Sequence, residues 1–434
     1  MIKRLLHALK PASETRTREA VDRSCDPSFI DVKRLIAELS EEDLMRSADA
    51  YFSKIRLTSD QCWKPFSNPS DAPNLTRHLG LVLEAADLFH GAKVLDFGCA
   101  TGWLTLGLAQ MGCHAVGVDI SPAALNLADA LKARPGVARG GTVEFHAFDG
   151  HRLPLHDESI DRIICFDAFH HVRNPQAVLK EFARVLRNGG RAAFMEPGPN
   201  HSKTPLSQAE MANFMVIEND ISMVEVTAWA TEAGFSRPQM LVQFQRPLTI
   251  DVDEFNTWAA AGIPLRRAAE VKFMLQRQLT NGQCFFIYKG QPELDSLRAE
   301  GLAAELTLRS AQRVPFGALD AVQLEVLLRN TGTRHWITAA GPGQVNLGVH
   351  VLNTSGRVLN NNHGRIRLPS GPVKPGQSVL VKGTVPMPKQ TDFVLRLDLV
   401  AEMVSWFADA GHTLTLTVGS AELRTPGTAG TVPP

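Results

Sequence analysis

The sequence predicts an α/β domain built on a parallel sheet, followed by an all-β sandwich. Three observations carry that reading. Between residues 92 and 196, strand-length apolar runs alternate with amphipathic helical stretches, the pattern of parallel strands with helices on both faces. After about residue 300, helical periodicity gives way to alternating strand-like runs separated by turn signals. At 434 residues the chain is also too long for one ordinary core.

The elements follow in order. Val32, Leu35, Ile36 and Leu39 share one helical face within residues 30–50. Residues 51–74 hold Pro65, Pro69, Pro73 and "CWKPF" and read as irregular. A helix over "NLTRHLGLVLEAADLFHG" leads to strand 92–97, helix 103–111, strand 114–119 and helix 122–133. Strands 143–148 and 160–166, helix 175–187 and strand 191–196 come next. A helix near 225–234, a strand near 238–245, a helical insert near 251–280 and the strand "QCFFIYKG" close this part. Beyond it, "ELTLRS", "VQLEVLLRN", "QVNLGVHVLN", "SVLVKGTV", "FVLRLDLV" and "TLTLTV" alternate, with "NTGT", "GPG", "NTSG", "PSGP" and "KPGQ" as turns, which indicates an antiparallel sandwich. The expected division is an N-terminal helical region over 1–74 that lids the site, an α/β domain over 75–290, a linker over 291–303, a sandwich over 304–419 and a disordered tail over 420–434.

Charge excludes some classes of function. Forty-five basic and 45 acidic residues cancel, so no whole-chain argument points to nucleic acid or an anionic membrane surface. Six scattered cysteines at 25, 62, 99, 113, 165 and 284 form no CxxC pair and read as reduced thiols of a cytoplasmic protein. The start, "MIKRLLHALKPASETRTREA", has too short an apolar run for a signal peptide or membrane span.

The most informative stretch is "KVLDFGCATGW", residues 93–103. It reads as a strand, a turn from Gly98 to Gly102, and a helix. The spacing G-x-A-x-G is not the dinucleotide fingerprint. Asp96 before the turn would also repel a pyrophosphate, which needs the bare N–H groups of a helix start. A carboxylate there suits an ammonium group. Asp119, ending "VGVD", can accept from both hydroxyls of a ribose, and Asp149, ending "FHAFD", from an adenine amino group. Ammonium, ribose and adenine without phosphate describe S-adenosylmethionine. The predicted contact set is Asp96, Gly98, Cys99, Ala100, Gly102, Asp119, Ile120, Asp149 and Gly150. The plainer alternative makes the three aspartates strand-end turn residues and Cys99 and Cys165 core.

At these residues the chain resembles the class I S-adenosylmethionine-dependent methyltransferases, over residues 75–200. "VLDFGCATG" is similar to the family's first motif, with Ala100 for the middle glycine, and "VGVDIS" to its acidic second. "FDGHRLPLHDESIDRIICFDAFHHV" is similar to the adenine-contact and fourth-strand segments, and "VLRNGGRAAFMEPG" to the turn into the fifth strand, with Asn188 for the usual proline. The resemblance implies a Rossmann-like domain that uses S-adenosyl-L-methionine, and it extends weakly to residue 290 as the antiparallel pair closing the family sheet. The sandwich resembles bacterial Ig-like modules found beside enzymes of glycan assembly, at "HWI" (335–337), "LPSGPVKPGQSV" and "VSWFADAG". Together these imply O-methylation of a sugar in a cell-surface glycan. Two alternatives stay open: methylation of a small lipid or quinone, which "LPLHDESID" and "HHV" also resemble, and a glycan-binding protein with an inactive methyltransferase domain. Oligomeric state is not legible.

Transfer to a hydroxyl needs a base near the carboxyl ends of the strands, where open α/β sheets bind ligands. The residues there are Asp167, His170, His171, Glu196 and His201, and the catalytic candidates chosen are His171, His201 and Glu196. The alternative for His171 is packing or capping at the bend. Asp167, Glu196 and His201 could ligate a hard cation, but no fixed ligand spacing is present, so no metal is expected. Trp63, Phe66 and Trp229 are read as core, with a substrate cleft as the alternative.

Overall fold

The computed structural model describes residues 29–134, 141–242, 248–291, 295–317, 319–409, 411 and 415–423. The N-terminal stretch to residue 28, with Cys25, and the final "TPGTAGTVPP" lie outside them. The chain divides into two compact units, Met1–Pro292 and Glu293–Pro434.

The first unit is a seven-stranded sheet in the order β3-β2-β1-β4-β5-β7-β6. Its strands are β1 Lys93–Phe97, β2 His114–Asp119, β3 Thr142–Ala147, β4 Ile160–Phe166, β5 Leu186–Pro197, β6 Gln239–Leu241 and β7 Gly282–Tyr288. β1 to β5 pair in parallel, and β7 runs antiparallel between β5 and β6. In β1, Val94 to Phe97 are all buried, as a parallel strand covered on both faces requires. Alternate residues feed two cores. Val94, Ile164, Ala193 and Phe286 join the apolar stripe of helix α3, Ala72–Ala86. Leu95, Ile163, Ala192 and Phe285 join α6, Pro175–Val185. Between these helices the chain adds α4, Trp103–Gln110, and α5, Pro122–Lys132. β1 has β2 on one side and β4 on the other, so the strand order reverses there, and the crevice at the carboxyl ends of β1 and β4 is where such sheets hold ligands.

Local signals account for the differences from the expected elements. The helix expected over 30–50 is two, α1 Val32–Glu38 and α2 Glu41–Phe52. Ser40 and Asp43 close a capping box that starts the second. The irregular stretch contains a 3₁₀ turn, Asp60–Cys62, and α3 begins inside its end with Pro73 in the first turn. After β5 come α7 Pro205–Phe214 and α8 Met223–Glu232. The strand near 238–245 is only the three residues of β6, and residues 243–247 lie outside the described set. The helical insert is split into α9 Val252–Ala261 and α10 Leu265–Asn281, because Gly262 at φ 82° and Pro264 cannot continue a helix.

The second unit has a three-stranded sheet, β12-β9-β8, and a five-stranded one, β11-β10-β13-β14 with β15 on β13. The strands are β8 Ala304–Phe316, β9 Leu319–Asn330, β10 Val345–Leu352, β11 Val358–Arg367, β12 Ser378–Pro386, β13 Val394–Ala401, β14 Ser405–Trp406 and β15 Leu416–Gly419. Val322, Leu324, Val326 and Leu328 of one sheet and Val345, Leu347, Leu395, Leu397 and Leu399 of the other share one core around Trp336, which makes the unit a sandwich. β11 was not expected: "VLNNNHGRIR" is an edge strand with its first five residues exposed, so it carries no apolar alternation. Two boundaries also move. In the expected linker, Ser296 is buried, donates to the Gly343 carbonyl at 2.6 Å and accepts from the Ile337 N–H, and Leu302 enters the core. The stretch from 420, expected as tail, opens with a 3₁₀ turn, Ser420–Glu422.

Candidate active site

The glycine turn is held by its own strands. The N–H groups of Gly98 and Cys99 donate to the Val118 carbonyl at 2.9 and 3.0 Å. Gly98 sits at φ 72°, and a Cβ there would lie 2.5 Å from the Ala168 methyl. Gly102 sits at φ 75° with the Phe145 ring where its Cβ would be. Only glycine fits either position. Ala100, between them, adopts φ 47° and donates its N–H to Asp119 Oδ2 at 2.8 Å. Asp119 Oδ1 accepts from the Ser121 N–H at 2.9 Å. Asp96 is buried, takes a 2.6 Å bond from the Thr105 hydroxyl, and is pushed up to about 7 by that burial. Burial also raises Asp119, and pushes the Cys99 thiol well up. Cys165 is core. Asp149 is exposed, and the N–H groups of Arg152 and His151, both on its Oδ1, lower its pKa. Ile120 is half-buried, and Gly150, at φ 84°, faces Glu41 of α2. The N-terminal elements close over this end of the sheet: Asp49 accepts from the Ser121 hydroxyl and the Ala123 N–H, and Thr101 donates to the Gln61 carbonyl.

The second cluster lies at the ends of β4 and β5. Asp167, at φ 54°, ends β4 and leads into a 3₁₀ turn, Phe169–His171. Glu196 is fully buried near the end of β5. Its Oε1 accepts from the N–H groups of Ala168 and Phe169, and its Oε2 from the His170 N–H and, at 2.8 Å, His170 Nδ1. Burial disfavours a charge on His170, but the Glu196, Asp167 and Glu218 carboxylates outweigh it and lift the imidazole to about 9. His171 Nδ1 donates to the Ile217 carbonyl at 2.6 Å, leaving Nε2 with a lone pair on a side chain 43% exposed. Crowding by neighbouring atoms and the adjacent His170 charge lower its pKa. His201 Nε2 lies 2.6 Å from Glu218 Oε2. Burial opposes ionisation of Glu218, yet His201 and the other two imidazoles hold it at about 2. Glu210 is lifted to about 7 by burial and by Glu218 beside it.

Residues 95–194, which take in the glycine turn, Asp119, Asp149 and the bend from Asp167 to His171 but stop short of Glu196, His201 and Glu218, match the family model described as a methyltransferase domain. The chain carries an S-adenosylmethionine-dependent methyltransferase domain. A ubiquinone biosynthesis O-methyltransferase of Cupriavidus pinatubonensis is 27% identical over 169 residues, 37% of this chain and 66% of the relative. One from Proteus mirabilis is 24% identical over 223 residues, 47% of this chain and 80% of the relative. The chain thus spans between 66% and 80% of the length of these two relatives. Among solved structures, a geranyl diphosphate methyltransferase in complex with GPP and sinefungin aligns at a TM-score of 0.42 and 14% identity, over 57% of this chain and 99% of that one.

In this methyltransferase the chain brings His171 and His201 together around Glu218, with His170 between them and Glu196 behind it; ring centroids lie 3.9 Å (His170–His171) and 4.9 Å (His170–His201) apart. Of the glycine-turn candidates, Gly98 abuts Ala168, the residue that leads into the histidine bend. Two residues expected as core are not: Trp63 is 48% and Phe66 75% exposed. The Trp63 indole instead donates to the Leu57 carbonyl and lies under Arg134. Trp229 does pack against the core. Sequence reasoning missed Glu218 and Glu210. The available signal was an acid inside an apolar run, "MVIENDI", since a carboxylate flanked by core residues needs a partner. Among the described residues, no helix is long and apolar enough to cross a membrane.

Proposed function

We propose that the domain methylates a hydroxyl oxygen of a small, phenol-like acceptor, with His171 as general base and His201 as its alternate. The observation that carries this is the fixed tautomer of His171. Its Nδ1–H is spent on the Ile217 carbonyl, so the accessible Nε2 has a free lone pair, three residues from the Ala168 that the glycine turn abuts. In this reading Asp96 meets the ammonium of S-adenosylmethionine, Asp119 the ribose hydroxyls and Asp149 the adenine amino group. Gly98, Cys99, Ala100 and Gly102 supply the close backbone, and Ile120 and Gly150 flank the adenosine. The acceptor oxygen attacks the methyl carbon as the carbon–sulfur bond breaks. The hydroxyl proton passes to His171, and S-adenosylhomocysteine leaves. Glu196 accepts four bonds already, so we assign it a positioning role through His170. A neutral imidazole removes a proton more readily from a phenol, pKa about 10, than from a sugar hydroxyl. The relatives' names, which specify O-methylation in ubiquinone biosynthesis, favour the same acceptor class.

A second reading, O-methylation of a cell-surface glycan, draws support from the sandwich and its likeness to modules beside glycan-assembly enzymes. The unit would then act as a second contact on a long acceptor. Assays with labelled methyl donor on catechols, hydroxylated quinone precursors and oligosaccharides decide between them. Label on a glycan, together with a raised KM for polymer alone once residues beyond 292 are removed, would displace the small-molecule reading.

A further inference from the structure

We propose that His170, His171 and Glu218 together form a binding site for a divalent first-row cation, Zn²⁺ foremost. One ligand atom from each residue lies within 4.8 Å of the other two. His170 Nε2 is 3.9 Å from Glu218 Oε2, and His171 Nδ1 is 3.5 Å from Glu218 Oε1, so an ion would take this nitrogen in place of its proton and its bond to the Ile217 carbonyl. Zinc bonds of about 2.0–2.2 Å put ligand atoms roughly 3.3–3.5 Å apart in a tetrahedron, so a contraction of an ångström or so closes the set.

Two independent features point the same way. The Glu218 side chain is 97% buried, and its Oε1 makes no hydrogen bond; the nearby His171 Nδ1–H, at 3.5 Å, is turned to the Ile217 carbonyl instead. A buried carboxylate oxygen without a donor costs stability, and a cation removes that cost. The second feature is the support behind His170. Its Nδ1 is bonded to a buried carboxylate, which turns Nε2 toward Glu218. A carboxylate behind a ligating imidazole is the usual outer arrangement of zinc sites. Two imidazoles and one carboxylate with a position left over also match the donor set of catalytic zinc. His201, Glu210 and Asp167 complete the ring of charged or titratable groups, and a protonated Glu210 is the rival claimant for Glu218. The ligands come from two distant segments, which is why no metal spacing shows in the sequence. An ion here would recruit His171 as a ligand and leave His201 as the base, so its catalytic use rests on the function proposed above; its binding does not.

The test uses the full-length protein, stripped with chelator and titrated with Co²⁺ and then Zn²⁺. One equivalent retained through gel filtration is expected, with the visible bands of four- or five-coordinate cobalt, bleached by zinc. His171→Ala, at a half-exposed position that should fold normally, and Glu218→Gln should each weaken retention at least tenfold. Glu196→Gln should do so about 10–100-fold through His170. Failure to retain an ion, or retention unchanged in both His171→Ala and Glu218→Gln, overturns the site. Calorimetry with S-adenosylmethionine on the same samples separates the two claims: loss of cofactor binding in the parent protein defeats the proposed function and leaves the metal result standing.

Discussion

At the carboxyl ends of β1, β2 and β3, each carboxylate is answered within ten residues, Asp96 by Thr105, Asp119 by Ser121 and Asp149 by His151 and Arg152, and Ala100 of the glycine turn adds a second bond to Asp119. At the ends of β4 and β5 every partner lies more than ten residues off: Glu196 holds His170 across 26 positions, Ile217 holds His171 across 46, and Glu218 holds His201 across 17. The first arrangement is a set of self-contained turns that a sequence motif can specify. The second exists only once β5 and the segment after α7 are in place. The two halves should therefore respond differently to substitution: the first through cofactor affinity, the second through turnover.

The largest effect is expected in the first half. Asp119→Ala removes a charged acceptor proposed to take both ribose hydroxyls, and bonds to charged groups contribute about 1.5–3 kcal/mol each. Affinity for S-adenosylmethionine should fall roughly 10²–10⁴-fold by calorimetry, with the circular dichroism of the folded protein retained. Unchanged affinity would remove Asp119 from the site, and preferential binding of NADH would remove the cofactor assignment altogether.

Next is the second half. His171→Ala or His201→Ala should lower turnover by at least about a hundredfold, the contribution of a positioned base, while calorimetric affinity for the cofactor stays within a factor of about three, roughly 0.6 kcal/mol. If both variants keep full turnover, the cluster around Glu218 is structural. If cofactor affinity falls in step with turnover, the two halves are one unit and the contrast between them fails.

That contrast also explains what could be read from the sequence. Strand, turn and helix around Gly98, and the aspartates ending β1 and β2, follow from local rules of period, turn chemistry and charge. His171 and His201 were legible as strand-end histidines, but their shared partner was not. Glu218 lies in a stretch with no regular element of its own, and its importance comes from burial among three imidazoles. β11 was hidden for a related reason: an exposed edge strand needs no apolar face, so "VLNNNHGRIR" gives no period to detect.

A smaller effect tests whether Asp96 faces an ammonium. Burial raises its pKa to about 7 in the free protein. The folded form then favours the protonated acid, so this group's contribution to stability is present at low pH and lost as pH rises through about 7. Cofactor binding runs the other way. Below that pH the ammonium must displace a proton from Asp96, so affinity should climb by up to about tenfold per pH unit. It should level off near 7 and decline once the cofactor's amine, with a pKa of about 8, loses its charge. Calorimetry from acid to mildly alkaline pH gives the curve, and Asp96→Asn should abolish its rising limb. A flat profile in the parent protein would detach Asp96 from the ammonium.

The smallest expected effect lies within the glycine turn itself. Ala100 holds φ 47°, a left-handed conformation that costs an L-residue roughly 1–2 kcal/mol. Its reward is orientation, since that geometry aims the Ala100 N–H at Asp119 Oδ2. Glycine would adopt the same backbone without strain but would lose more entropy on folding, about 0.5–1 kcal/mol. The difference puts Ala100→Gly between neutral and roughly 1.5 kcal/mol more stable to unfolding. Urea unfolding gives the value. Because the N–H keeps its direction, cofactor affinity should hold as well. A loss of several kcal/mol would show that the Ala100 methyl is needed for packing. A loss of affinity at unchanged stability would show that Asp119 depends on a rigid neighbour, and the turn would then be less self-contained than its hydrogen bonds imply.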